Sequence, residues 1–515
     1  MALKIFTIGD SISQGFMSGA AAKTDQSFST LIASILKAED YHYPVWPKEG
    51  LPFNLETIFR KLERRLGSDI SGLFEWPVAL NIINNYLDDI EDFYERGDGS
   101  LSKAVSAKPF HNVAVRGFDI SNSWQLRPSI CEKIIGQSEK NGDNFFGMVN
   151  ESLLRTAHKV LASGGDKKND FSQLDWLDYH HKKEGVENVL LWLGANNALG
   201  TVLDLKIKQT SQDGKAFKDG PDKISYQDRL TAKWNLWHPE DFRVEYQFML
   251  DKVIAIMENN PNKTDYKVFI ATIPLVTICP LIKATAKNGR DLIKIEEWEV
   301  DPNNPAPMDR KELSKSKITE TSYGKYYPYF MFEDAFDINL KHLNQQDVIH
   351  IDNFIRRYNR IIQELVADAN KKIGVKRFYL VDIASQFNKM ALKRNNYNPS
   401  YEFPDYFSTC YPPVDTRYYG VTRDGIKKAG GLFSLDGVHP TAIGQALIAY
   451  EFLKVMQKAG SYTGDVSKSI DWKTIFESDT LYTKPIRILG EIYDNVNLKK
   501  WAYKKLSNRW EEEKF

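Results

Sequence analysis

Five short apolar segments alternate along the chain with longer segments whose apolar residues recur at helical spacing. The apolar segments lie at residues 3–8, 112–115, 189–193, 267–273 and 377–383. Such nearly continuous apolar runs are typical of strands covered on both faces, whereas spacings of three and four residues indicate helices. We expect helices at residues 27–36, 55–66, 77–94, 144–161, 241–259 and 349–372, and after residue 441. The alternation predicts an α/β protein with a parallel sheet and helices on both of its faces.

Polar and mixed segments interrupt this alternation and predict large insertions. Residues 206–229 form an exposed excursion, residues 288–340 include an aromatic tract at 326–332, and a third excursion covers 393–430. We expect one domain over residues 1–460. Its insertions are predicted at about 37–110, 200–240, 285–345 and 390–430. Residues 461–515 are charged and aromatic, and we expect them to form a C-terminal appendage.

The first predicted strand ends in a glycine that is followed by Asp10 and Ser11. Ligands of parallel α/β sheets bind outside the carboxyl ends of the strands. A serine at this position meets free backbone N–H groups and the positive end of a helix dipole, which suits a nucleophile whose product is negatively charged. The alternative is an ordinary capped turn, because aspartate and serine are also common at helix starts.

A candidate base for Ser11 lies near the end of the chain. Asp436 and His439 are three positions apart in a glycine-containing loop that precedes a predicted helix. A turn of this size can fold the carboxylate back onto the imidazole, as a serine nucleophile requires of its base. Pro440 suits the first turn of the following helix. The alternative is a helix-start loop with an incidental histidine.

Two further residues follow predicted strands and are candidate donors to an oxyanion. These are the N–H group of Gly117 and the side-chain amide of Asn196, which would act together with the N–H group of Ser11. Each residue alone also fits a simple turn. Their occurrence at three strand ends, together with the late Asp436–His439 pair, favours an active site over four unrelated turns.

Four segments, taken in this order, resemble the sequence blocks of the SGNH hydrolases, the GDSL-type esterases and lipases. They are residues 9–12, 112–117, 194–197 and 436–441. The chain departs from the family pattern at Ile12, where leucine is usual, and at Asn197, where aspartate is usual. The resemblance implies a three-layer α/β/α, flavodoxin-like fold with a five-stranded parallel sheet of order 2-1-3-4-5 and large inserted segments.

The same resemblance implies a triad of Ser11, Asp436 and His439, and oxyanion donors at Ser11, Gly117 and Asn196. The expected function is hydrolysis of carboxylic esters, of lipids or other acyl groups, through an acyl-enzyme. The alternatives are a carbohydrate O-deacetylase of the same fold and a non-catalytic binding or scaffold protein that retains it. The aromatic tract at 326–332 fits an acyl-binding wall, a sugar platform or the core of an inserted subdomain.

Composition narrows the expected partners. The 68 basic and 68 acidic side chains of the 515 residues balance, which gives no support for a nucleic-acid or polybasic membrane partner. The three cysteines are expected to be reduced, and no metal or other cofactor is expected. We expect no transmembrane segment and a soluble protein, cytoplasmic as written, or secreted or periplasmic if a leader was removed. Arg116, beside Gly117, is expected either to contact an anionic substrate or to face solvent.

Overall fold

The computed structural model describes residues 2–68, 75–103, 105–138, 148–165, 170–286, 323–328, 341–392 and 399–490. In chain order the strands are β1 (Phe6–Gly9), β2 (Phe16–Met17), β3 (Ala20–Ala21), β4 (Asn188–Trp192), β5 (Lys267–Ala271), β6 (Ile282–Ala286), β7 (Tyr323–Pro328), β8 (Leu343–Asn344), β9 (Phe378–Val381), β10 (Gly420–Val421) and β11 (Lys427–Ala429).

Helices surround these strands along the whole described chain. They lie at Ser11–Gln14, Phe28–Ile35, Leu55–Leu66, Glu75–Glu95, Asn122–Gln125, Pro128–Ser138, Ser152–Leu161, Gln173–Lys183, Asn196–Asp204, Tyr226–Ala232, Pro239–Glu258, Gln345–Ile373, Ile383–Met390, Ala442–Lys458, Val466–Ser469, Trp472–Ser478 and Thr480–Thr483. Short 3₁₀ turns lie at Thr24–Gln26, Pro47–Glu49, Pro221–Lys223, Val276–Ile278 and Asp405–Thr409. None of the helices in the described ranges is long and apolar enough to span a lipid bilayer.

The centre of the fold is a parallel sheet in the order β1-β4-β5-β9. Phe6 of β1 pairs with Val189 of β4, so Phe6 and Trp192 point to opposite faces of the sheet. Phe6 packs against His180 of the helix Gln173–Lys183, with ring centroids 5.5 Å apart. Trp192 packs against Phe28 on the other face, at 5.7 Å. Helices therefore cover both faces, as the apolar runs predicted, and the protein is of the α/β class.

The segment predicted as the second strand, residues 112–115, runs beside β1 but forms only an isolated parallel bridge, between Thr7 and Asn112. The N–H groups of Val113 and Val115 donate to the carbonyls of Thr7 and Gly9, at 3.0 and 3.1 Å. On the outer edge, the Asn112 side chain accepts from the N–H of Ala114, at 3.0 Å. This local bond satisfies an N–H group that faces away from β1. The sheet thus has four assigned strands where five were expected.

The helix Gln345–Ile373 has a start, an end and a buried face that follow from its sequence. Asn344 and Asp347 form a capping box at its start, and Gly374 ends it in the left-handed conformation, with φ of 80°. Its buried face carries Phe354 and Tyr358 at a spacing of four residues. The predicted helices at 27–36, 55–66, 77–94, 241–259 and 349–372 are confirmed, with shifted ends. In the predicted helix 144–161, residues 144–147 lie outside the described residues, and the helix begins at Ser152.

The second excursion leaves the sheet after β5, beside the predicted active site. Its described part is β7, which pairs antiparallel with β6 just before the excursion and with β8 just after it. Just before β6, the N–H of Leu281 donates to the carbonyl of Gly437, at 2.9 Å. In the predicted aromatic tract Tyr326 is buried, and residues 329–332 lie outside the described residues. The segment that leads into the excursion is therefore bonded directly to the loop that carries Asp436 and His439.

The short helices near the C-terminus pack against the helix Ala442–Lys458. The ring of Trp472 lies 6.0 Å from that of Tyr450, and Asp479 accepts from the N–H of Ile443, at 3.4 Å. Residues 491–515 of the predicted appendage lie outside the described residues. The predicted domain bounds stay a prediction.

Candidate active site

Ser11 stands at the carboxyl end of β1, at the first position of a four-residue helix. Asp10 caps this helix by accepting the N–H of Ile12 on Oδ1, at 3.1 Å. A Cβ atom on Gly9 would lie 2.3 Å from the hydroxyl of Ser13, so the turn into the helix requires glycine. The local sequence thus places Ser11 where the strand ends and free helix N–H groups begin.

The structure brings Ser11, His439 and Asp436 into one hydrogen-bonded chain. His439 Nε2 lies 2.8 Å from Ser11 Oγ, and His439 Nδ1 lies 3.0 Å from Asp436 Oδ2. Ser11 and His439 are 5% and 9% exposed, so both groups interact largely out of water. The three residues predicted as a triad therefore have the contacts that a triad needs.

The loop that carries His439 folds by its own backbone bonds. The N–H of Ser434 donates to the carbonyl of His439 at 2.8 Å, and the N–H of Gly437 donates to the carbonyl of Ser434 at 2.9 Å. Gly437 has φ of 68°, a conformation that glycine adopts without strain. Pro440 precedes the helix cap Thr441, so it lies outside the helix and not in its first turn as expected.

Gln445 joins this late loop to the serine helix. Its side chain donates to the carbonyl of Ile12 at 3.0 Å and accepts from the N–H of Phe28, also at 3.0 Å. Gln445 is fully buried, and it lies one turn into the helix that follows His439. It therefore fixes that helix against the segment of Ser11, a contact that nothing in the sequence indicated.

Asp436 has a hydrogen bond on each carboxylate oxygen besides its contact with the imidazole. Oδ1 accepts from the N–H groups of Val438 and His439, and Oδ2 accepts from the N–H of Gly19 at 3.0 Å. Burial alone would raise the pKa of Asp436, but the charge and hydrogen bonds of His439 outweigh it and lower the pKa. The group is therefore an ionised carboxylate that can stabilise a cationic imidazole.

Asn196 lies between the turn that follows Gly117 and the residue that precedes Ser11. Its Nδ2 donates to the carbonyl of Phe118 at 2.9 Å and to Asp10 Oδ2 at 3.3 Å. Gly117 has φ of 72°, which favours glycine at this turn. The amide of Asn196 thus joins the two segments that carry Ser11 and Gly117. In this structure both bonds of the Asn196 amide run to protein oxygens.

Asn197 and Arg116, two residues that the sequence singled out, are both buried. Asn197, where the family that these segments resemble usually has aspartate, is fully buried and accepts from the N–H of Ile120 at 3.3 Å. Arg116 is 3% exposed, so the expectation that it faces solvent is wrong. It donates to the hydroxyl of Ser152 at 2.6 Å and lies 5.7 Å from the ring of Phe16.

Asp10 is an additional titratable group of the site. Burial raises the pKa of Asp10 to about 7. The hydrogen bond from the N–H of Ile12 and the charge of His439 act in the opposite direction but are smaller effects. The sequence indicated only a helix cap at this position. Its contacts with Asn196 depend on a residue 186 positions away, which no local pattern reveals.

A second cluster of ionisable residues lies at the end of the helix Gln173–Lys183, which covers the face of β1 that carries Phe6. Ligand atoms of His111, His180 and Glu184 fall within 4.8 Å of one another. His111 Nδ1 accepts the N–H of His42 at 3.0 Å, which places the ring proton on Nε2 and removes that lone pair from metal binding. Glu184 already bonds His180 Nδ1, at 2.9 Å. Hydrogen bonds within the protein therefore occupy the Nδ1 atoms of both histidines.

Comparison with known proteins finds no protein-family model and no curated protein that matches the chain. The resemblance of its four segments to the SGNH hydrolase blocks stays a prediction.

Proposed function

We propose that the protein is a serine hydrolase that cleaves carboxylic esters through an acyl-enzyme. The observation that carries this proposal is the continuous chain from Ser11 Oγ through both nitrogens of His439 to Asp436. A binding or scaffold protein has no need of a buried serine bonded to a base whose other nitrogen meets an ionised carboxylate. Acyl transfer needs each of these groups in this order.

The reaction follows from the two hydrogen bonds of His439. Nδ1–H donates to Asp436, so Nε2 carries the lone pair and accepts the proton of Ser11 as Oγ attacks the ester carbonyl. The protonated ring then gives this proton to the leaving alcohol as the C–O bond breaks. Water repeats the sequence on the acyl-enzyme and releases the acid, with Asp436 stabilising the cationic ring in both steps.

The negative oxygen of the tetrahedral intermediate would be held by the N–H groups of Ser11 and Gly117 and by Asn196 Nδ2. The longer of the two Asn196 contacts, 3.3 Å to Asp10, is the weaker hydrogen bond and the one to be exchanged for the oxyanion. The shorter bond, to Phe118, keeps the amide in place during this exchange.

The same proposal places the fold among the flavodoxin-like SGNH hydrolases, with strand order 2-1-3-4-5. Residues 112–115 would be the second strand of that order, and their parallel bridge to β1 supports this position. The substrate we propose is an ester of a lipid or another acyl group. Its length depends on the inserted segments around the site.

Hydrolysis of p-nitrophenyl esters of increasing acyl length tests the proposal. The wild-type protein should hydrolyse at least one member, and Ser11→Ala should abolish that activity. A maximum at longer acyl chains supports a lipid-type substrate, whereas a maximum at acetyl favours the deacetylase alternative. Equal turnover by wild type and Ser11→Ala would contradict hydrolysis by Ser11.

A further inference from the structure

The short β2–β3 hairpin has an unusual turn. Phe16 and Met17 pair with Ala20 and Ala21, and the two-residue connection is Ser18-Gly19. Ser18 has φ of 52° and Gly19 has φ of 83°, so both turn residues are left-handed. Turns of this kind suit the twist of a hairpin, but serine is much less common than asparagine or glycine at the first position.

The turn is bonded to the loop that carries Asp436 and His439, more than 400 residues away. The N–H of Ser18 donates to Ser434 Oγ at 2.8 Å, and Ser18 Oγ accepts from the N–H of Leu435 at 3.3 Å. The N–H of Gly19 donates to Asp436 Oδ2 at 3.0 Å. Both serines are buried, at 3% and 1% exposure, so these bonds are shielded from water.

The strand that leads into the turn also contacts the base. The ring of Phe16 lies 4.6 Å from the ring of His439, at 58°. The hairpin therefore touches both members of the Asp436–His439 pair: the carboxylate through Gly19 and the imidazole through Phe16. Asp436 Oδ2 is the very atom that meets His439 Nδ1, so Gly19 constrains the oxygen that orients the ring.

We propose that the hairpin Phe16–Ala21 is a positioning device for the catalytic pair, in which Ser18 and Ser434 hold Gly19 at the carboxylate of Asp436 and Phe16 backs the imidazole of His439. This inference rests on the proposed hydrolase function. Ser18 and Ser434 act through Asp436 and do not touch the reacting atoms. The left-handed Ser18 directs the N–H groups of residues 18 and 19 toward the loop.

Ser434→Ala tests the device, because it removes only the oxygen that accepts the N–H of Ser18. Ser163→Ala is the matched control: Ser163 is also fully buried and its Oγ accepts one backbone N–H, from Phe110, at 3.3 Å. Ser18→Gly is the second variant. Glycine adopts the left-handed conformation without strain, so this variant loses the hydroxyl and keeps the turn.

The readouts are kcat, KM and the pH profile of kcat/KM on the best p-nitrophenyl ester. We expect Ser434→Ala to lower kcat by about 10- to 100-fold with little change in KM, since small misplacements of catalytic groups have effects of this size. The acidic limb of kcat/KM should move to lower pH, because a displaced Asp436 stabilises the protonated ring less. Two further charged groups, Asp10 near His439 and Arg116 near Phe16, are unchanged in these variants.

Ser18→Gly should lower kcat and move the acidic limb of kcat/KM in the same direction as Ser434→Ala, by smaller amounts. Ser434→Thr keeps the hydroxyl and should have the kcat and acidic limb of the wild type. Ser163→Ala should lower the melting temperature without moving kcat or the pH profile. The inference is overturned if Ser434→Ala and Ser18→Gly keep kcat and the acidic limb of the wild type while their Ser11-dependent activity persists. If wild-type activity does not depend on Ser11, the proposed function fails instead.

Discussion

His439 Nε2 lies 2.8 Å from the hydroxyl oxygen of Ser11, although 428 positions separate the two residues in the chain. The hydrogen bonds on the two ring nitrogens of His439 indicate which of them carries the proton. Asp436 accepts a bond from Nδ1, so the ring proton is on Nδ1 and Nε2 is free to accept the proton of Ser11. This arrangement is the one that the first proton transfer of the proposed reaction needs.

Asp436→Asn should lower kcat by about 10⁴-fold, because an amide no longer selects the ring tautomer that accepts the serine proton. Steady-state hydrolysis of a p-nitrophenyl ester measures this loss. Asp465→Asn is the control, since Asp465 also accepts a backbone N–H, that of Ser467 at 3.0 Å, and belongs to the C-terminal region. Turnover within tenfold of the wild type in Asp436→Asn would contradict the role given to this carboxylate.

The lowered pKa of Asp436 also predicts a change in stability with pH. A carboxyl whose pKa is lower in the folded than in the unfolded protein stabilises the fold above the unfolded value, near 4, and loses this effect as pH falls through the folded value. The difference in unfolding free energy between wild type and Asp436→Asn should therefore shrink below about pH 4. Urea unfolding across this range measures it.

Asn196→Ala should lower kcat by about 10²–10³-fold, the usual effect of removing one oxyanion donor. The KM should change much less, because the charge on the oxygen develops only in the transition state. Asn262→Ala is the matched control: Asn262 Nδ2 also donates to backbone carbonyls, those of His181 and Lys182, before the start of β5. An equal decrease in both variants would argue for a structural effect only.

Asp10 should make the fold less stable as pH rises toward neutrality. Its pKa is about 7 in the folded protein, above the ordinary value of 3.8, so the stabilisation by the protonated form is complete below about pH 4 and is lost as pH rises through 7. Asp10→Ser keeps a helix cap but removes the ionisable group. The unfolding free energy of wild type relative to Asp10→Ser should fall between pH 4 and pH 8, by up to about 4 kcal/mol.

Urea unfolding of the wild type and of Asp10→Ser across this pH range measures the difference, and the comparison of the two proteins controls for other titrating groups. Other buried carboxyls with raised pKa values, such as Glu245 and Asp479, titrate in both proteins and cancel in the difference. A difference in unfolding free energy that is flat over this pH range would show that the Asp10 carboxyl titrates normally.

The sequence predicted the strand ends and the residues at them because both depend on short-range patterns. Apolar runs placed β1, β4, β5 and β9, and the three-residue spacing of Asp436 and His439 already allowed their contact. The second strand was less predictable. The segment 112–115 donates two N–H groups to β1 but forms a single parallel bridge with it, which its apolar pattern does not reveal.

The parts that the sequence did not predict depend on contacts between distant segments. Arg116 is buried because Ser152, from a later helix, meets its guanidinium. The bonds from Ser18 and Gly19 to the loop at 434–436 join positions more than 400 residues apart. A Ser-Gly pair between apolar residues is a weak hairpin signal, and it carries no information about the partner of its N–H groups.

The most direct test of the central claim is covalent labelling with a fluorophosphonate probe, followed by mass spectrometry of the modified peptide. The proposed mechanism predicts one adduct, on the peptide that contains Ser11, because the imidazole of His439 is bonded to this hydroxyl and activates it. The adduct should be absent in Ser11→Ala and form far more slowly in His439→Ala. Labelling of Ser11→Ala at the wild-type rate, or a wild-type adduct on another residue alone, would contradict Ser11 as the nucleophile.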